Sequence, residues 1–267
     1  MSIFVPKTGN SLTVTSPETM YGTIEELGIV PFFENPIPGF SIEERTPREF
    51  WFDGEDGLLG PWDWKIFSVQ SGDIAYGKFL WGGKAAFATV QWYAELMNYR
   101  RSLPKYAPTE EQQRVLALME EQGSISIRDI RKLLDIKKSA ADALMTRLQM
   151  QCRVVTGDIS RVYRGPDLHY NGWQVSSFCS PEGLFEGALP PTIPRASQPI
   201  SPTDMVSGGP SDDGLDHPFS RWSGFPFGEP RTLEVGHSPA ESLERLVEHI
   251  REIAPEATEK QILKMLG

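Results

Sequence analysis

The chain has 267 residues, enough for one large domain or two small ones with a real core, so it is neither a peptide nor a miniprotein that depends on covalent staples. Lys and Arg number 26 against 36 Asp and Glu, a formal charge of −10, which argues against a protein that coats nucleic acid with its whole surface and restricts any such contact to a local basic patch. Two cysteines without a CxxC pair, no run of about 18 apolar residues and no apolar signal behind Met1 argue against a disulfide framework, a structural zinc site, a membrane span and export, so a soluble protein of the reducing cytoplasm is expected.

In chain order, Ser16 stands as an N-cap before residues 17–27, which predicts a first helix, and Thr46, Pro47, Arg48 and Glu49 predict the opening of a second, short one. Residues 74–81 and 84–88 read as strands around Gly82 and Gly83, a pair that tolerates the positive φ of a tight turn, and so predict a hairpin. Trp92, Tyr93, Leu96, Met97 and Tyr99 then lie on a helix that finishes at Arg100 and Arg101, whose cations oppose the negative end of its dipole. Residues 1–106 are read as one mixed, aromatic-rich domain.

Residues 107–179 are read as a second domain, and the order of its elements is its strongest signal. Thr109 caps a helix carrying Val115, Leu116, Leu118 and Met119, and Gly123 stops it. Residues 124–126 predict a short strand, 127–134 a second helix and 137–150 a third, with Ala141, Leu144, Met145 and Leu148 on its inner face. Residues 154–156 and 173–176 predict two strands joined by a polar loop. Helix, short strand, helix, helix, strand, loop, strand is the layout of a winged helix-turn-helix. Charge follows the same boundary: residues 124–164 hold nine Lys and Arg against four acids, a surplus of five, which leaves −15 on the remainder. Arg128, Lys137, Lys138, Arg147, Arg153, Arg161 and Arg164 are the expected DNA-binding residues, with Lys137 and Lys138 at the start of the recognition helix and Arg161, Tyr163 and Arg164 in the wing.

Residues 180–236 hold ten Pro and eight Gly, a density that predicts an extended arm without helix or ladder. Within it Phe219, Trp222, Phe225 and Phe227 are more aromatic than a solvated linker needs, so residues 219–227 are expected either to pack back on the chain or to dock a partner. Residues 237–267 predict a helical hairpin: Ser238, Pro239 and Glu241 start one helix, Pro255 ends it, and Thr258 starts another. Its apolar stripe, from Leu243 to Leu266, must dock on the body, self-associate or bind a protein partner.

Other chemistry finds little footing. Residues 77–84 have five positions between glycines where a phosphate loop has four, and Ala85 stands where Ser or Thr should hold magnesium. His169, His217, His237 and His249 are scattered, Asp53, Glu55 and Asp56 are too few for a calcium loop, and Cys179 has no base near it in sequence, so neither a metal nor a cofactor is expected. Two groups keep an enzyme open. Trp62, Asp63 and Trp64 set aromatic walls beside a carboxylate, an arrangement suited to an extruded base and equally to a packed core. Gln149 and Gln151 carry amides able to orient a water or a base edge on a strand; at the end of an amphipathic helix they are expected to face solvent or fix the turn into the first strand.

The string Gly60-Pro61-Trp62-Asp63-Trp64-Lys65, followed by Ala75-Tyr76-Gly77-Lys78-Phe79, Gly83-Lys84-Ala85-Ala86-Phe87, Gln91-Trp92-Tyr93 and Asn98-Tyr99-Arg100-Arg101, resembles the AlkZ-related proteins, bacterial relatives of the AlkZ/YcaQ DNA glycosylases. Thr146-Arg147-Leu148-Gln149-Met150-Gln151, Gly172-Trp173 and the stretch from Pro255 to Ile262 are similar to that group too. The resemblance covers residues 15–180 and the last thirty, and skips the arm. It implies an α+β fold of tandem winged helices with a small antiparallel sheet, arranged around a DNA-facing concavity. For the glycosylases proper it implies removal of bulky alkylated bases and unhooking of crosslinks through a Gln-x-Gln or Gln-x-Asp motif after the first winged helix. Here the matching early stretch, residues 27–33, has neither amide nor carboxylate, and Gln149 and Gln151 lie after the later helix-turn-helix, so the catalytic role is not carried onto them. The reading is a DNA-binding, glycosylase-like protein, for alkylated or damaged duplex, with its chemistry lost or altered. An interaction or regulatory winged-helix module and an active glycosylase on alkylated or crosslinked DNA stand beside it.

Overall fold

The computed structural model describes residues 12–51, 60–164, 169–187 and 231–267. Helix α1 (Pro17–Leu27) starts where Ser16 and Thr19 exchange side-chain and backbone bonds, the Ser16 amide donating to Thr19 Oγ1 at 2.8 Å. Gly28 ends it at φ +68°, where a Cβ would lie 2.2 Å from the Trp92 ring, so conformation and space both demand glycine. Strand β1 (Ile29–Pro31) and helix α2 (Ile42–Arg45) follow. Thr46 does not open a helix as expected: it closes α2, its hydroxyl donating to Ile42 O at 2.8 Å, and residues 48–50 make only a 3-10 turn. The cause is Pro47, which forces the residue before it out of the helical region.

Helix α3 (Pro61–Gln70) has no counterpart among the expected elements. Seven of its ten residues are buried, so the apolar stripe that betrays a surface helix is missing; only Pro61 at the first position marks it. The expected hairpin forms as β2 (Ile74–Leu80) and β3 (Lys84–Thr89), with Gly82 and Gly83 at φ +64° and +67° in the turn. The sheet is antiparallel in the order β1-β3-β2, with Ile29 opposite Ala88 and Tyr76 opposite Phe87. Helix α4 (Val90–Arg101) leaves β3 directly.

Helices α5 (Glu110–Gln122), α6 (Ile127–Leu134) and α7 (Lys138–Met150) each stand at their expected places, α5 and α6 behind complete capping boxes at Thr109 and Ser126. The expected strand at 124–126 shrinks to a single bridge between Ile125 and Phe178. Strands β4 (Val155–Arg164) and β5 (His169–Cys179) form a two-stranded antiparallel hairpin far longer than expected, irregular at two points where the register shifts. The reading of residues 180–236 as wholly without helix or ladder is corrected at its start, whereas residues 231–236 carry neither and still pack on the body. Ser180 caps α8 (Pro181–Phe185), Leu184, Phe185 and Leu233 are buried in the core, and the Arg231 amide donates to Phe185 O at 2.9 Å. Phe219, Trp222, Phe225 and Phe227 lie outside the described residues, as do Asp53, Glu55 and Asp56.

Helices α9 (Pro239–Ile253) and α10 (Glu259–Leu266) dock on the body. Leu246, Ile250, Ile262 and Met265 join the same hydrophobic cluster as Ile24, Phe32, Phe79, Phe87 and Leu96. A polar seam fixes the angle: buried Glu95 on α4 accepts from Ser242 Oγ at 2.7 Å, meets Arg245 Nε at 2.8 Å and has His237 Nε2 at 2.7 Å. Arg100 is fully buried and donates to Met150 O at 2.7 Å and to Leu266 O, so it crosslinks three elements instead of simply facing the end of α4. A separate apolar cluster joins Val115, Ile130, Ala141, Met145, Leu148, Val154 and Phe178.

Candidate nucleic-acid interface

Helix α6 is cleanly two-sided. Ile130 is fully buried and Ile127, Leu133 and Leu134 pack beside it, while Arg128, Arg131 and Lys132 are exposed on the other face. Asp135, at φ 53° in the left-handed region, ends α6, and one further residue leads into the exposed Lys137. Lys137 is the N-cap of α7 but makes no capping bond, and Lys138 is its first helical residue. Two cations there oppose the positive end of the helix dipole, which costs stability and creates a point of strong attraction for anions. Arg147 is exposed near the other end of the same helix.

Two expected DNA contacts, Arg161 and Arg153, stand apart from this group. Arg161 pairs through Nε with Asp63 Oδ1 at 2.8 Å, its side chain only 11 % exposed. Arg153 is half-buried beside Arg101 and Glu182, and burial, then the neighbouring Arg101, pulls its guanidinium below the ordinary arginine range. Arg164 lies on β4, and its side chain is outside what is described.

The Trp62-Asp63-Trp64 group forms a closed polar knot over an aromatic floor. Asp63 is fully buried; its Oδ1 accepts from Arg161 Nε and from the Tyr170 hydroxyl at 2.8 Å, and Gln174 Nε2 lies 3.3 Å away while also donating to Trp62 O at 2.9 Å. The Tyr170 phenol is pushed up to about 12, by burial first. Trp64 is 7 % exposed, and Trp62 packs against Phe32, Phe33 and Trp51 at 5.5–5.9 Å between ring centroids. Lys65, absent from the expected residues, is buried with Nζ 5.1 Å from the Trp62 ring centroid, and burial pushes its ammonium down to about 8 against the pull of Asp63. The network ties α3 to the β4–β5 hairpin, and recognition of α3 was the missing signal for it.

Gln149 and Gln151 are both buried, so of the two alternatives for the helix end, solvent or the turn into the first strand, the solvent one falls away. Gln149 Oε1 accepts the Lys78 amide at 2.9 Å and its Nε2 reaches Met145 O at 3.4 Å. Gln151 Nε2 donates to Gln112 Oε1 at 2.9 Å. A strand edge, β2, draws one amide inward, and the α5 cap draws in the other.

Among the described residues no group of three or more His, Cys, Asp or Glu side chains is placed to hold a metal ion, and no helix is long and apolar enough to cross a membrane. Both cysteines are buried. A family model described as AlkZ related matches residues 14–199. No curated protein and no solved structure matches the chain.

Proposed function

The chain belongs to the AlkZ-related family, and on that premise we propose that it is a DNA-binding, glycosylase-like protein in which α5, α6, α7 and the β4–β5 hairpin act as a winged helix, with residues 107–179 as one unit. The observation that carries the reading is the exposed cation row, Arg128, Arg131 and Lys132 on α6, then Lys137, Lys138 and Arg147 along α7, within a chain of net charge −10. The Ile125–Phe178 bridge and the cluster around Ile130, Met145 and Phe178, which tie the hairpin behind the helices, favour the winged-helix arrangement.

Altered or lost chemistry is the companion proposal. In residues 27–33, β1 is buried along its whole length and paired with β3, with no amide or carboxylate side chain to position a water. The internal bonds of Gln149 and Gln151 speak against a base-contacting role there.

The test is fluorescence anisotropy with labelled intact, mismatched and alkylated duplex at micromolar protein and about 50 mM salt. Binding that weakens steeply with added salt is expected, and Lys137→Ala with Lys138→Ala should flatten the log–log slope by about two. Absence of binding to all three duplexes would end the reading. Release of free alkylated base from the same DNA would overturn the proposal of lost chemistry while leaving DNA binding in place.

A further inference from the structure

The cation row does not stop at Arg147. At the tip of the β2–β3 hairpin the Trp81 ring has Lys84 Nζ 4.3 Å and Lys264 Nζ 6.0 Å from its centroid, so one tryptophan gathers exposed lysines that are far apart in sequence. The tip rests on the C-terminal half of α7: a Cβ on Gly83 would lie 2.8 Å from Thr146 Cγ2 and 3.4 Å from Met150 Sδ. Exposed Arg147 is the next residue after Thr146. Exposed Lys78 on β2 is held to the same helix by its amide, which donates to Gln149 Oε1 at 2.9 Å. Among the described residues no carboxylate forms a salt bridge with Lys78, Lys84, Arg147 or Lys264; Lys84 Nζ reaches only the backbone oxygen of Glu34, at 3.5 Å.

Lys84, Lys264 and the neighbouring Arg147, three cations without carboxylate partners in a chain that carries ten more acids than bases, repel one another and attract a polyanion. The spacing suits a nucleic-acid backbone. From Lys138 to Arg147 α7 rises about 14 Å, the axial length of roughly four base pairs of duplex. A backbone that follows α7 from its N-terminus therefore arrives at the hairpin tip.

We infer that the DNA-contacting surface continues from α7 onto the β2–β3 tip and α10, where Lys84 and Lys264 take backbone phosphates and the Trp81 ring holds both in place. The inference rests on the reading of the chain as a DNA-binding protein, and it gives α10 a second task beside docking. These contacts are to phosphate, so they add affinity and register without sequence preference.

Salt titrations of one labelled duplex of about 20 base pairs, long enough to span both patches, separate the two claims. The parent is compared with Lys137→Ala/Lys138→Ala, with Lys84→Ala/Lys264→Ala and with the single Lys264→Glu, after far-UV circular dichroism has established that each is folded. The Lys84/Lys264 pair is expected to flatten the slope by about two, as the Lys137/Lys138 pair does, and Lys264→Glu to weaken binding at low salt. Binding by the parent that responds to Lys137/Lys138 and is unmoved in affinity and slope by both Lys84/Lys264 and Lys264→Glu would overturn this inference alone. No binding by the parent would remove the DNA reading, and the inference with it.

Discussion

Burial on α3 pushes the Lys65 ammonium from 10.5 down to about 8, while Asp63 two residues away pulls the other way. Between those two pH values the unfolded chain holds more protons at this site than the folded one, so the Lys65 contribution to stability rises with pH across that window. Below about pH 8 the penalty of a buried ammonium is present in full, about 3 kcal/mol. Lys65→Met is therefore expected to be the more stable protein at neutral pH by up to that amount in urea denaturation, with the advantage shrinking as pH approaches 10.5. Arg161 is the opposite case, since its guanidinium sits on fully buried Asp63. Arg161→Ala should lose about 3–5 kcal/mol, and pairing Arg161→Met with Asp63→Leu should recover much of it, because removing both charges strands neither. A four-point cycle of denaturation midpoints checks this. The residue types at 63 and 161 were visible in the sequence; that they meet was not, since 98 positions separate them.

At the scale of elements, α7 joins the apolar cluster of the helices to the sheet. Its inner face fills the cluster around Ile130, its C-terminal half meets β2, and Gln149 supplies the acceptor that the Lys78 amide takes there. Gln149→Ala should cost about 1–3 kcal/mol by leaving that amide unsatisfied. Gly77→Ala should also destabilise, because its Cβ would lie 2.6 Å from Gln149 Oε1 and displace that buried amide from the Lys78 N–H. Both effects are expected in thermal melts. Elements whose signals are local were legible beforehand: the capped starts of α1, α5, α9 and α10, and the Gly-Gly turn between β2 and β3. Helix α3 was not, because a helix buried nearly all round carries no amphipathic stripe, and neither was the full hairpin, whose register shifts break the strand alternation.

For the whole molecule, the C-terminal helices complete the hydrophobic core that contains the three-stranded sheet. Removing residues 237–267 would uncover the partners of Leu246, Ile250, Ile262 and Met265 and leave Glu95 and Arg100 without contacts made in the interior. Such a shortened chain is expected to aggregate or to melt well below the full protein, measured by light scattering and thermal denaturation. The Pro- and Gly-rich composition of 180–236 concealed that both its ends pack into this core, through Phe185 and Leu233. Composition, caps and charge clustering act over a few residues, and from them came the order of three helices before two strands and the basic segment, while short matching strings carried the family resemblance. Which cations stay at the surface and which vanish into ion pairs depends on contacts between distant parts of the chain. Arg161 belongs to a buried knot with Asp63, while Lys84 and Lys264 share one tryptophan beside α7. Burial and proximity across long sequence separation are properties of packing, and no window along the chain contains them.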